Sequence, residues 1–485
     1  MQNLTAIKRP VPKIGILINS IGSFNPAAKD KSEADMRAFF DGLVKSGEIH
    51  PDSLIIGRIF GPHEAMEAAD KFAAARVDLV VISNVAFTNG QVFLTLATHP
   101  HLSKIPMAVT AEPEPEINEW GTNAWCSVIM NNFVAKQIGR NIVTIPGPFL
   151  SPEFKTEFER LLRVAGTIKF LRNDLVVRFG DAPSGFHSAS GNLLAFADKF
   201  GTRVDTVDLS AVLYTYKTGK ATGYLGESTF TDEDVKKTAD EMMNGRQVLV
   251  DREMVEQGAR FYHAFRAIIR ANGYTSATVR CWPEFQSEII PNASCLAQAY
   301  LVAKGDVASV ACEGDWPMAV AQTMGTMLSD HPAACLDWVN YTGGSDIIQL
   351  GHCGVGMPGH MAPEGSTRCN GLCDAIALHP VARQAGTELG PTHIGQYEYG
   401  PKTGICLMQG SDGTFRMLAF KGENSPETAK GLLYSAADIK VDNFCALNRL
   451  VLEYGFPHHL GVAFGDITED LQMLCSFLGV EYLSP

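Results

Sequence analysis

Near the start of the chain, four short apolar runs at residues 13–19, 53–60, 78–83 and 105–110 alternate with stretches of helical periodicity. No other feature constrains the fold as strongly. Consecutive parallel strands need helical crossovers, and strands covered on both faces read as nearly continuous apolar runs. The expected product is an open, parallel, doubly wound α/β sheet. Between the first two runs, Ser32-Glu33-Ala34-Asp35 reads as a capping box that opens a helix presenting Met36, Phe39, Phe40, Leu43 and Val44 on one face. The rhythm restarts at about residue 169, with strands expected at 174–180, 203–210, 276–282 and 307–312. Helices are expected at 251–271, closed by Asn272-Gly273, and near 292–304 and 316–328. After about residue 345 the texture becomes Gly- and Pro-rich over 351–365. A hairpin signal at 405–421, centred on Ser411-Asp412-Gly413, then argues for an antiparallel, β-rich end. The expected domains are an N-terminal α/β domain at 1–168, a central α/β domain at 169–345 and a β-rich C-terminal domain at 346–485.

Composition excludes several function classes. The 40 Lys+Arg against 53 Asp+Glu leave a net charge of −13, which repels phosphate backbones and anionic membrane surfaces. Nucleic acid and membranes are therefore not expected partners. No uncharged apolar run approaches the roughly 18 residues of a membrane span, and none near the start has the form of a secretory leader. A cytoplasmic location is the expectation. Eleven cysteines, an odd number scattered through a long chain, read as reduced thiols. The closest pair, Cys369 and Cys373, lacks the second pair that a tetrahedral zinc site needs.

The run 307–312 ends in Glu313-Gly314-Asp315-Trp316, just before a helix. In open α/β sheets ligands sit at the carboxyl edge, so Glu313 would point into a crevice. Asp315 is the better candidate for capping the helix, where the exposed amides favour an acid. The next apolar run, 333–336, ends in Asp337. Read as the neighbouring parallel strand, it would face Asp337 towards Glu313 across a shared cation. His352 follows another strand-like run and precedes Cys353-Gly354-Val355-Gly356, whereas His360 alone reads as a satisfied hydrogen-bonding residue. In Pro457-His458-His459, adjacent side chains are expected to diverge, so at most one imidazole would serve a given metal. Two carboxylates and one imidazole with open positions suit Mn²⁺ or a similar cation, Co²⁺ or Mg²⁺ among them.

At these residues the chain resembles the L-fucose isomerase and L-arabinose isomerase superfamily, which interconverts aldoses and ketoses with a divalent metal, usually Mn²⁺. Glu313 in its Glu-Gly-Asp-Trp setting looks like the first catalytic glutamate of arabinose isomerases. Asp337, two dozen residues on, matches the fucose isomerase spacing to a metal-binding aspartate. His459 matches the third ligand, because Gly461-Val462-Ala463-Phe464-Gly465-Asp466-Ile467 resembles the fucose isomerase carboxyl terminus. His352 and His458 look more like arabinose isomerase. The resemblance implies two Rossmann-like domains and a barrel-like β-rich domain, with Glu313 and Asp337 exchanging protons around a metal-stabilised enediolate. It implies that His352 and His458 bind sugar hydroxyls, with Trp316 or Trp282 as an apolar ring face. It further implies a homo-oligomer, commonly a hexamer, whose sites are completed by a neighbour's N-terminal loops. The candidates here are residues 19–24 and 84–91, with Asn84 and Asn89 readable equally as turn residues. The superfamily includes sulfoquinovose isomerases, for which Arg280, Arg368 or an arginine from another subunit could hold a sulfonate. Two further readings are a non-catalytic sugar-binding protein, since two α/β domains with a cleft also describe sugar receptors, and a metal-dependent aldolase or hydrolase.

Overall fold

The computed structural model describes residues 7–114, 121–286, 290, 292–358, 360–361, 374–379, 389–428 and 435–485. It divides into two compact units, one of residues 9–170 with 470–480 and one made mainly of residues 171–469 with 481–485.

The first unit is built on β1 (Ile14–Asn19), β2 (Leu54–Ile59), β3 (Leu79–Asn84), β4 (Met107–Ala111) and β5 (Val143–Pro146). All neighbours are parallel, in the order β2-β1-β3-β4-β5. Side-chain alternation explains the continuous apolar runs. Ile14, Ile16 and Ile18 join Phe39, Phe154 and Phe158 on one face, and Leu17, Val80 and Ile82 join Phe72 and Phe93 on the other. The capping box at Ser32 is not a helix start. The helix runs Pro26–Ser46 and is opened by Asn25, whose side chain accepts from the Ala28 N–H ahead of a proline in the first turn. Asn-Pro is the stronger start signal, and it leaves Ser32 buried inside the helix. Residues 470–480 pack here as well: Asp470 Oδ1 accepts from Arg163 Nε at 2.8 Å, and Met473 and Phe477 lie on the apolar core.

The second unit begins with β6 (Leu175–Phe179), β7 (Arg203–Val207), β8 (Lys220–Gly223), β9 (Gly226–Thr229), β10 (Gln247–Val248), β11 (Ser276–Val279) and β12 (Val310–Cys312). Four of these form a parallel sheet in the order β12-β11-β6-β7. The expected long helix is Arg252–Asn272, ended by Gly273 in the left-handed conformation.

There follow β13 (Ala334–Tyr341), β14 (Ile347–His352), β15 (Ala375–Ala377), β16 (Thr392–Gln396), β17 (Gly400–Gln409), β18 (Phe415–Asn424), β19 (Ser435–Val441), β20 (His459–Phe464) and β21 (Glu481–Leu483). Six of them close a barrel in the order β19-β14-β13-β20-β17-β18, and the β18–β19 pairing completes the ring. The hairpin read around Ser411-Asp412-Gly413 is the β17–β18 pair. One expectation fails: the strand carrying Asp337 is not a parallel neighbour of β12. It is β13, antiparallel to both β14 and β20 in the barrel. A short apolar run reports burial on both faces, which parallel sheets and barrels share. The helix Trp316–Ser329 lies on the barrel. A Cβ at Gly461 of β20 would stand 2.9 Å from Met318 Cε, and one at Gly325 would stand 3.0 Å from Ile405 Cδ1. Among the described residues no helix is long and apolar enough to cross a membrane.

Gly422 sits at the seam that closes the ring, paired with Val441, and a Cβ there would lie 2.7 Å from the carbonyl oxygen of Lys440. Backbone cannot yield as a flexible side chain can. Gly422→Ala is expected to destabilise the protein by about 1–3 kcal/mol in urea unfolding. A loss below about 0.5 kcal/mol would contradict the closed seam.

Candidate active site

Two backbone arrangements bring the acids together. After β12 the chain turns through two successive left-handed residues, Glu313 at φ 56° and Gly314 at φ 70°. Gly314 is required there, because a Cβ would lie 2.9 Å from the Ala182 backbone nitrogen. Glu313 in this conformation is a strained, uncommon position for a residue with a side chain, of the kind that clusters at functional sites. In the barrel, Asp337 of β13 stands directly opposite His459 of β20, and Gly351 of β14 stands opposite Asp337 on its other side. His352 is the next residue along β14.

The convergence point is the His459 imidazole. Its Nε2 lies 3.3 Å from Glu313 Oε2 and 3.3 Å from Asp337 Oδ1, and its Nδ1 lies 2.8 Å from Asp315 Oδ2. His459 is 1% exposed, while the Glu313 and Asp337 side chains keep 21% and 28%, so the acids have an open side that the imidazole lacks. His459 Nε2, Glu313 Oε2 and Asp337 Oδ1 are all buried atoms with no hydrogen-bond partner. Burial opposes a charged imidazole, yet the Asp315 hydrogen bond and the facing Glu313 raise the His459 pKa well above its ordinary value. Asp315 performs two tasks. Its Oδ1 caps the helix Trp316–Ser329 by accepting from the Met318 N–H at 2.9 Å, and its Oδ2 fixes the His459 ring. The capping half was readable from the sequence. The ring-orienting half was not, since its partner lies far along the chain.

His352 and His458 complete the cluster. The donor atoms of Asp337, His352 and His459 lie within 4.8 Å of one another, as do those of Glu313, His458 and His459. The expected divergence of the two adjacent histidines does not occur, and their ring centroids are 4.4 Å apart. His458 precedes the first residue of β20, so strand alternation does not govern it. Burial and the neighbouring His459 lower its pKa.

Other candidates fall elsewhere. Trp316 is 1% exposed and meets Phe196 edge-on at 4.6 Å, which makes it a core residue with no ring face open to a sugar. Trp282 is 42% exposed beside Phe186, and Arg280 Nε donates to Glu284 Oε2 at 2.8 Å. Both follow β11, the neighbour of the strand that leads to Glu313. His360 stacks on Phe464 at 4.1 Å, and burial with nearby His331 and Lys402 pushes its pKa down to about 4. Asn84 belongs to the first unit and is no turn residue. It ends β3, where its Oδ1 accepts from Asn19 Nδ2 at 2.9 Å. Asn89 is a turn residue, accepting from the Gln91 N–H. Arg368, Cys369 and Cys373 lie outside the described residues.

The fold and site thus define a mixed α/β and barrel protein with an acid–imidazole centre. No protein-family model matches the chain. It is 26% identical over 407 residues to a sulfoquinovose isomerase from Alkalicoccus urumqiensis, covering 81% of this chain and 83% of that protein. It is 23% identical over 341 residues to a sulfoquinovose isomerase from Clostridium sp. (strain MSTE9), covering 69% and 70% respectively. The similarity to the fucose and arabinose isomerase-like group read from the motifs therefore extends over 69–81% of the chain. Among solved structures, an ABC transporter solute-binding protein from Burkholderia multivorans aligns over 67% of this chain and 95% of its own, at 11% identity and a TM-score of 0.19. That score is too low to carry an argument.

The placement of Trp316 generates a prediction. Trp316→Ala is expected to cost about 3–5 kcal/mol of stability in denaturant unfolding. A loss under about 1 kcal/mol would show that the ring does not fill the core.

Proposed function

We propose that the protein is an aldose–ketose isomerase whose substrate is a sulfonated hexose of the sulfoquinovose type. The observation that carries the isomerase reading is the set of three buried, unpartnered atoms, Glu313 Oε2, Asp337 Oδ1 and His459 Nε2, facing one another beside two partly exposed carboxylates. Unpaired polar atoms converging in a buried cluster are the arrangement a bound cation would satisfy. Their oxygen and nitrogen chemistry fits Mn²⁺, with Co²⁺ or Mg²⁺ as substitutes. Glu313, Asp337 and His459 would hold the ion. When bound, it would supply electrostatic stabilisation to charge developing on two adjacent sugar oxygens.

The protein's own groups do the rest. Moving a carbonyl from C1 to C2 requires a proton to leave the carbon beside it and another to reach the neighbouring carbon. Glu313 and Asp337, on either side of the reacting bond, would carry those protons between carbon and oxygen. His352 and His458 would bind hydroxyls, and Asp315 would keep His459 in one orientation. The names of the two relatives favour a sulfonated sugar over the L-fucose or L-arabinose that the motifs first suggest. Arg280, two residues before the exposed Trp282 and held by Glu284, is the described group we assign to a sulfonate.

The test is incubation of metal-loaded protein with sulfoquinovose, L-fucose and L-arabinose in deuterated water, read by NMR. The sulfonated sugar should give a ketose with deuterium on carbon. Binding without turnover would identify a sugar-binding protein, and fragments an aldolase. Glu313→Gln and Asp337→Asn should each lower kcat by about 10² or more with the fold retained. Retention of most activity by either variant would remove it from the proton path.

We further propose a homo-oligomer in which the first unit of one chain completes the site of another. Support comes from the buried polar cluster at the carboxyl edge of the first sheet, where Asn19, Asn84, Thr88 and Asn131 gather and Asn19 Oδ1 and Asn131 Oδ1 lack partners. Mixing inactive Glu313→Gln chains with inactive Asn84→Ala chains should restore part of the activity through hybrid sites. Mixed oligomers that stay inactive would rule out sharing.

A further inference from the structure

Beside the acid–imidazole cluster lies a second group of donors that the proposed reaction does not use. Cys295 is the first residue of the helix Cys295–Ala303, Cys353 follows directly after β14, and His379 lies just beyond β15. Their donor atoms lie within 4.8 Å of one another. His379 is completely buried, and neither of its ring nitrogens has a hydrogen-bond partner. A neutral imidazole must otherwise find both a donor and an acceptor partner, and leaving both unmet in the interior is costly. The surroundings are apolar and sulfur-rich: Cys281, Ala293, Cys312 and Val355 pack around Cys295. The Cys295 thiol and the nearby His352 hold the Cys353 thiol well below its usual pKa, against the effect of burial.

We propose that Cys295, Cys353 and His379 form a second metal site, specific for a thiophilic d¹⁰ cation, Zn²⁺ or Cu⁺. Two thiolates and an imidazole match the softness these ions prefer, and the set lacks the oxygen donors that Mn²⁺ or Mg²⁺ would require. On binding, the two thiols release their protons to water, and the two thiolate charges neutralise a divalent ion. The three ligands come from a helix and the ends of two strands far apart in sequence, so the ion would tie the segment after His352 to the helix Cys295–Ala303. Its role is structural positioning, and its donors are distinct from the groups proposed to carry the isomerase reaction.

The test uses the full-length protein, kept reduced and first saturated with Mn²⁺, in a Cys126→Ser/Cys445→Ser background that removes the two thiols exposed among the described residues. Titration with Co²⁺ should produce a near-ultraviolet thiolate-to-cobalt charge-transfer band that saturates at one equivalent per chain. Oxygen and imidazole ligands alone give no such band. Zn²⁺ should abolish it, and Cu⁺ should do so if the site prefers the monovalent ion, while excess Mn²⁺ should leave it intact. Glu313→Gln should retain the band, and Cys295→Ser, Cys353→Ser and His379→Ala should lose or alter it. Absence of the band, or its persistence in both cysteine variants, overturns the proposal. If the variants fold poorly, X-ray absorption of the unmutated protein with one equivalent of Zn²⁺ decides instead. Two sulfur neighbours at about 2.3 Å support the site, and a shell of oxygen and nitrogen alone rejects it.

Discussion

The buried imidazole of His459 is the interaction on which the site depends. Carboxylates approach both of its nitrogens: Asp315 at 2.8 Å on one, Glu313 and Asp337 at 3.3 Å on the other. Three acids around one buried ring make the imidazole the group on which their arrangement turns. Asp315 has its own compensation, since it is tied to a helix N-terminus as well as to the ring. Glu313 and Asp337 have none beyond the imidazole, and both are partly open. The two partly exposed acids therefore lie on one side of the ring, the side on which the proposed cation and substrate would enter.

Holding that geometry requires a strained turn and a fixed register. Glu313 reaches the ring only because the chain passes through two left-handed residues, the second of which must be glycine. Asp337 reaches it only because β13 and β20 pair with residue 337 opposite 459. A slip of one residue would turn the Asp337 side chain to the other face of the barrel wall. The helix Trp316–Ser329 links the two arrangements. It begins at Asp315 and lies against β20, close enough that Gly461 leaves no room for a Cβ.

The sequence displayed the ingredients better than their arrangement. The strands of the first sheet were legible because parallel strands covered on both faces are continuously apolar, and β17–β18 was legible because a Ser-Asp-Gly turn separates two alternating runs. Glu313 stood out through its position at a strand end, and Asp315 through its fitness as a cap. The run before Asp337 gave a strand but the wrong sheet, because residues 333–336 carry no signal that separates a parallel neighbour from a barrel strand. Trp316 was misread for a related reason: a large aromatic beside a catalytic candidate can as readily fill the core below it. The thiol cluster was illegible. Cys281, Cys295, Cys312 and Cys353 are spread over four segments, and only the folded chain brings them to one place.

The two donor clusters meet at the end of one strand, and that meeting constrains both. His352 ends β14 with its ring towards His459, while the next residue, Cys353, belongs to the group with Cys295 and His379. Cys353 lies just past the strand, and its Sγ stays 3.6 Å from His352 Nδ1, so the two neighbourhoods touch through this pair. The glycines at 354 and 356 then carry the chain past Thr392 and His393 at distances where a Cβ would collide. An ion fixing Cys353 would thereby fix the backbone from which His352 extends. The proposed sulfur site would therefore bear on the placement of the His352 ring, the group proposed to bind the sugar, through the peptide bond that joins the two residues. The oxygen donors Glu313 and Asp337 belong to one cluster and the sulfur donors Cys295 and Cys353 to the other, a division that would let hard and soft cations sort between the two proposed sites.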